Sequence, residues 1–208
     1  MAKPEIMSIV LTKRFYKFGI ISVFGIIILN VISGVYSYLQ MEPSILTAYV
    51  LNFSLLIFQL TVWILIRKIL IYKHTQIDLD RILLWIIRLI ASIGTLNILG
   101  ISFNNPMFLG FILVLALVNF GLIITLAIKI WRIEEFEFDS IEIIKNYILA
   151  MLIISILSII IQSINDVRLL FNERVDKLNI EYIEYLLKLI PFIFLLLFIK
   201  KELKTASA

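Results

Sequence analysis

The sequence predicts an all-α membrane protein, a bundle of six transmembrane helices with both termini in the cytoplasm. The chain has 208 residues, of which 62% are hydrophobic, and its mean hydropathy is +1.05. A soluble domain is close to half apolar, so this excess excludes a water-soluble globule and a disordered chain. The absence of cysteine excludes a module held together by disulfides.

Six runs of the sequence are long enough to cross a bilayer, which requires about 20 mostly apolar residues. They lack the strict alternation of outer-membrane barrel strands, and only a helix satisfies its own backbone hydrogen bonds in lipid. The predicted spans are approximately Phe18–Leu39, Ile45–Ile66, Ile82–Phe103, Met107–Ile128, Ile143–Ile164 and Ile183–Ile199.

Local signals mark the ends of several spans. Pro106 follows two asparagines and is expected at the first helical position of the fourth span. Asp139 and Glu142 have the spacing of a capping box for the fifth span. Pro191 lies inside the sixth span and predicts a kink there, because proline cannot donate a backbone hydrogen bond.

The distribution of lysine and arginine predicts the orientation. With a cytoplasmic N-terminus, fourteen of these residues fall on the inner side and three on the outer side. Cytoplasmic loops carry the excess of positive charge in membrane proteins, so we expect both termini inside, in a bacterial cytoplasmic membrane.

The residues that most chemistry requires are absent or scattered. The chain has one histidine, no cysteine, no HExxH motif, no GxSxG motif and no glycine-rich phosphate loop. No carboxylate lies deep in a span, and the charges lie between apolar runs rather than along one basic face. We therefore expect no catalytic residue, no metal, no cofactor and no nucleic-acid partner.

Polar side chains inside the spans are the candidate functional residues, because lipid tails tolerate them poorly. We expect them to face one another or a hydrated cavity, as dry interhelical hydrogen bonds or as the lining of a path. These candidates are Asn52, Gln59, Arg88, Ser92, Thr95, Asn119, Ser158 and Gln162.

The first span carries a row of small residues at Ser33, Gly34 and Ser37. Small residues let helix backbones approach closely in membranes. This row is therefore a candidate face for helix packing or self-association.

Arg88 is the one charge well inside a predicted span, and two interpretations remain open. Its long side chain can extend towards the cytoplasmic headgroups, since helical side chains point towards the helix N-terminus. Alternatively, it turns inward with Ser92 and Thr95 and meets a polar or anionic group.

The sequence favours a non-enzymatic membrane component, of a scaffold, regulatory, assembly or immunity type. Such a protein works through helix–helix contacts, and its expected partners are the bilayer and either another membrane protein or a second copy. The alternative is a small transporter or channel for an ion or small solute, with a path lined by the polar stripes of spans two, three and five.

Overall fold

The computed structural model describes residues 13–39, 41–73, 77–100, 106–133, 140–170 and 185–205. Within these ranges, the side chains of 72, 73, 77, 106–109, 161–170 and 205 are left out of the description. The described chain is helical and contains no strand. Its long helices are α1 (Lys13–Tyr38), α2 (Ile45–Lys73), α3 (Ile77–Gly100), α4 (Pro106–Trp131), α5 (Ile141–Leu170) and α6 (Leu189–Thr205).

Five of these helices are long and apolar enough to cross a membrane, which is compatible with an integral membrane protein. In the described chain α6 has 17 residues and is shorter than the other five. The candidate spans are Lys13–Tyr38, Ile45–Ile71, Asp78–Gly100, Gly110–Trp131 and Ile141–Ile160.

The helices extend beyond the apolar runs at their charged ends. α1 begins five residues before Phe18, and α2 continues seven residues beyond Ile66. Hydropathy falls where lysine and arginine begin, but both residues are good helix formers and the backbone hydrogen bonds continue through them. The connection between α2 and α3 is therefore shorter than the apolar runs suggest.

Two helix starts have a local chemical cause. The Ser44 hydroxyl accepts a hydrogen bond from the backbone N–H of Thr47 at 3.2 Å, which caps the start of α2. α4 begins at Pro106, which confirms the expected first helical position.

The start of α5 is only partly described. Glu142 lies in its first turn, where a carboxylate interacts favourably with the helix dipole. The Lys145 ammonium donates a hydrogen bond to this carboxylate at 2.9 Å. Asp139, the other half of the predicted capping box, lies outside the described residues.

The helix is interrupted just before Pro191, in the region where the proline predicts a kink. Residues 185–187 are helical, a turn follows at Lys188, and α6 then begins at Leu189. The carbonyl of Leu187 is the group to which residue 191 would donate in an unbroken helix, and proline has no N–H to donate.

The six helices form a closed ring in chain order. Each helix contacts the next along the chain, and α6 returns to contact α1. The connections from α1 to α2, from α2 to α3 and from α3 to α4 are short, and they favour this order because a helix that follows a short loop runs back beside its predecessor.

The core of the ring lies at one end, which we call the packed end. It is the end at which α1, α3 and α5 begin and α2, α4 and α6 finish. Its largest fully buried side chains are Ile26, Leu65, Ile66, Ile69, Leu70, Leu79, Leu83, Ile86, Leu126, Ile130, Tyr147 and Phe198.

The other end of the ring, which we call the open end, has no comparable core. None of the residues described in 31–55, 87–100, 110–122 or 155–160 is buried. Buried side chains therefore line only about half of the length of the helices.

Charged groups gather at the packed end and pair between neighbouring helices. Arg67 of α2 donates to the carboxylate of Asp80 at 2.6 Å, and Lys129 of α4 lies 3.6 Å from Asp78. Both aspartates lie in the first turn of α3, so α3 is joined by charge to both of its neighbours. All four side chains are at least partly exposed, so each pair contributes about 1 kcal/mol or less.

Glycine permits the close approach of α1 and α2. A Cβ atom on Gly25 would overlap the ring of Phe58, and one on Gly19 would overlap the side chain of Leu65. By contrast, a Cβ on Gly121 of α4 would meet no atom within 4 Å. The α1–α2 contact therefore depends on the absence of side chains at two positions of α1.

We expect Gly25→Leu to destabilise the protein by about 1–3 kcal/mol, because the new side chain occupies the space of Phe58. Gly121→Leu is the matched control, since both substitutions place the same side chain in a helix. The measurement is the thermal unfolding midpoint of each purified variant in detergent. Equal midpoints for both variants would show that α1 and α2 do not pack as described.

Candidate helix-docking face and polar cleft

The outside of the ring is mostly apolar. Leu46 is 74% exposed, Phe18 is 62% exposed and Leu113 is 61% exposed, in three different helices. Soluble monomers rarely expose large continuous apolar surfaces, whereas lipid-facing helices do so along their length. The exposed surface therefore has the character expected beside lipid tails.

One row on α3 departs from this pattern, and we call it the exterior face of α3. It comprises Trp85, Arg88, Ser92 and Thr95, all of which are exposed. Their spacing of three and four residues places them on one face of the helix. The buried residues Leu79, Leu83 and Ile86 lie on the opposite face, so this row points away from the ring.

The structure places Arg88, Ser92 and Thr95 on the outside of the bundle. The sequence suggested that Ser92 and Thr95 face its interior, and it left open whether Arg88 does. Their spacing defined a shared face correctly. The direction of that face depends on where α2 and α4 contact α3, because these contacts cover the apolar side of the helix.

Arg88 points back along its helix. Its guanidinium carbon lies 5.1 Å from the centroid of the Trp85 ring, within range of a cation–π interaction. Trp85 is one turn nearer the packed end, so the direction agrees with the first interpretation of Arg88. Its backbone lies near the middle of the 23-residue span Asp78–Gly100.

The hydroxyls of Ser92 and Thr95 make no hydrogen bond to any residue that the structure describes. Other hydroxyls in the helices satisfy themselves by donating to the carbonyl four residues earlier. Thr61 donates to Ile57 at 2.9 Å, and Ser155 donates to Met151 at 2.8 Å. The exterior face of α3 thus retains unused hydrogen-bonding capacity.

A polar cleft lies at the open end between α1 and α2. Its volume is about 290 Å³, which is at the lower limit for small-molecule sites. Its polar lining side chains are uncharged, and they are Ser33, Tyr36, Ser37, Asn52 and Tyr185.

The small-residue row of α1 contributes to this cleft and to one contact. Ser33 and Ser37 line the cleft, while Gly34 faces Tyr185, whose Cβ lies 3.2 Å from the position of an added Cβ. The amide of Asn52 donates to the carbonyl of Ala48 at 2.8 Å. The structure therefore brings the candidates Ser33, Gly34 and Ser37 of α1 close to the candidate Asn52 of α2.

The remaining candidates are not brought to this cleft. Gln59 and Ser158 are half-buried on α2 and α5, and the side chain of Gln162 lies outside the described residues. The side-chain amide oxygen (Oδ1) of Asn119 is shielded and accepts no hydrogen bond from the described chain. Because α5 packs chiefly against α4 and α6, the stripes of the second, third and fifth predicted spans do not form one lining.

Two residues of these sites, one on the exterior face of α3 and one in the cleft, were not among the sequence candidates. Trp85 and Tyr185 are aromatic residues of a kind expected at membrane interfaces, and that pattern assigns them no further role. The cation–π contact to Arg88 gives a role to Trp85, and its spacing of three residues was a usable signal. Nothing in the sequence places Tyr185 against α1, because the contact joins distant parts of the chain.

No three histidine, cysteine, aspartate or glutamate side chains of the described residues form a group able to hold a metal ion. Comparison with protein-family models, with curated proteins and with solved structures finds no match for this chain. The functional argument therefore depends on the exterior face of α3 and on the polar cleft.

We expect cysteines introduced at Ser37 and Asn52 to react with a membrane-impermeant maleimide, because both positions line an open cleft. Ile26→Cys is the control, because this residue is fully buried at the packed end. The chain contains no cysteine, so labelling has no background. The measurement is the extent of labelling in intact membranes, and protection of both cleft positions would mean that the cleft is covered.

Proposed function

We propose that this protein is a non-enzymatic component of a bacterial cytoplasmic membrane that binds another membrane protein through helix–helix contacts. Its role is of the scaffold, regulatory, assembly or immunity type. The observation that carries the proposal is the exterior face of α3, where a cation and two hydroxyls follow one another on a mostly apolar surface.

Physical chemistry supports this use of α3. A polar group that faces lipid loses hydrogen bonds to water and gains none from hydrocarbon chains. A second helix against the same face supplies those bonds, at roughly 0.6 kcal/mol for each contact. Tryptophan and arginine are also enriched among the residues that dominate binding at protein interfaces.

The proposal includes six spans with both termini in the cytoplasm. α6 contacts both α5 and α1 and so completes the ring beside the five candidate spans. The described lysines and arginines are concentrated at the packed end, and the excess of positive charge favours the cytoplasmic side. The packed end is then cytoplasmic and the polar cleft opens to the outside.

A small transporter or channel for a neutral solute is the second candidate function. The uncharged polar cleft between α1 and α2 favours it, because such a lining suits hydroxyl or amide groups. The packed end argues against transport in this conformation, because its core occupies the space that a continuous path requires. Transport would require this core to open.

We expect a fluorescent protein fused after Ala208 to fluoresce, and alkaline phosphatase at the same position to be inactive. Six spans and a cytoplasmic N-terminus place the C-terminus in the cytoplasm. Five spans, or six spans in the opposite orientation, would place it outside and reverse both signals, so reversed signals would contradict the proposed topology.

We expect a photo-crosslinking amino acid at Ser92 to capture a specific protein in native membranes. Ile156 is the matched control, because both residues are exposed and lie fifteen residues from the start of their helices. Mass spectrometry of the crosslinked product identifies the partner. Identical products from both positions, or lipid adducts alone, would contradict a docking role for α3.

A further inference from the structure

The exterior face of α3 carries an unbalanced positive charge. Arg88 makes no ion pair with any residue that the structure describes, and its only described interaction is the contact with the Trp85 ring. Aspartates of α3 itself are paired with Arg67 and Lys129 at the packed end. No carboxylate of the described chain is therefore committed to Arg88.

From this charge we infer that the partner of α3 is a membrane-spanning helix of a different protein that carries an aspartate or glutamate near its middle. This inference rests on the proposed function and specifies the chemistry of its partner. A guanidinium presents several donors in one plane, which matches the two oxygens of a carboxylate. An unpaired arginine at mid-membrane is costly, so pairing with an opposite charge is favoured there.

The hydroxyls beyond Arg88 favour a helix over a lipid headgroup. Ser92 and Thr95 lie about 6 and 10 Å farther from the packed end than Arg88, at 1.5 Å per residue. A lipid phosphate that reaches the guanidinium from the packed end is too far away to contact them. An adjacent helix runs past all three side chains at once.

The charge of Arg88 argues against a second copy of this chain as the partner. Two copies in the same orientation would meet about a two-fold axis normal to the membrane, with the same face on both sides. Arg88 would then lie opposite another Arg88, and like charges at an interface are unfavourable. A carboxylate-bearing helix removes this repulsion and satisfies the donors.

The test uses the full-length protein in phosphatidylcholine nanodiscs with synthetic transmembrane peptides. Three leucine–alanine peptides differ only at the central residue, which is Glu, Gln or Leu. A central position matches Arg88 in either peptide orientation. Energy transfer between labels on the protein and the peptide gives the association constant.

We expect the Glu peptide to associate at least about tenfold more tightly than the Leu peptide, with the Gln peptide between them. Arg88→Gln should abolish this difference, while Arg88→Lys should retain part of it, because lysine keeps the charge and loses the planar donors. Arg81→Gln is the matched control, since Arg81 is exposed one heptad earlier, near the packed end.

Equal association of all three peptides with the unaltered protein would overturn the inference. A preference for Glu that survives Arg88→Gln, or that Arg81→Gln removes equally, would also overturn it. If energy transfer occurs between two labelled copies of this protein and Arg88→Gln removes it, the partner of α3 is a second copy and the inference is wrong. If added phosphatidylglycerol changes the accessibility of Arg88 and no peptide is preferred, the ligand of Arg88 is a lipid headgroup rather than a helix.

Failure of this inference can be distinguished from failure of the proposed function. If Ser92 crosslinks to a protein in native membranes but the Glu peptide shows no preference, helix docking stands and only the carboxylate is wrong. If Ser92 crosslinks to no protein, the proposed function fails whatever the peptides do.

Discussion

The requirement that polar groups find partners away from water governs this structure. It selects helices for the apolar runs, because a helix satisfies its own backbone. It also explains why Asn30 donates to the carbonyl of Ile26 and Thr125 to that of Gly121, each on its own helix. Most described charged side chains meet the same requirement by pairing at the packed end or by remaining exposed there, and Arg88 near the middle of its span is an exception.

Close packing at one end gives the ring a fixed frame. Gly19 and Gly25 let α1 approach α2, and the ion pairs of Asp78 and Asp80 join α3 to both neighbours. The resulting core covers the inward side of each helix over half its length. That arrangement determines which side of α3 is left exposed, and so it turns the polar row outward.

The two candidate sites suit different partners. The cleft is concave, uncharged and open, and it offers hydroxyl and amide groups to a small molecule. The exterior face of α3 is convex and elongated, with an aromatic ring and a cation beside two unused hydroxyls. A small solute cannot cover that row, whereas an adjacent helix can. This difference in shape is why we propose lateral binding ahead of transport.

The helical class, the apolar spans and the collection of charges at one end followed from the sequence alone. Length and hydropathy determine where a chain can cross a bilayer, and a period of three to four residues determines which side chains share a face. The row of Arg88, Ser92 and Thr95 was therefore predictable as a row. The start of α4 at Pro106 was predictable as well, because proline fixes its own backbone angle and lacks a donor.

Tertiary structure decided what those faces meet. A periodic pattern has no information about which neighbour covers a face, so it could not show that the α3 row points outward. Nor could it show that Tyr185 lines a cleft beside Gly34, because that contact joins residues about 150 positions apart. The sequence determined the elements and the composition of their faces, and the order of helices around the ring determined which polar face lacks a partner.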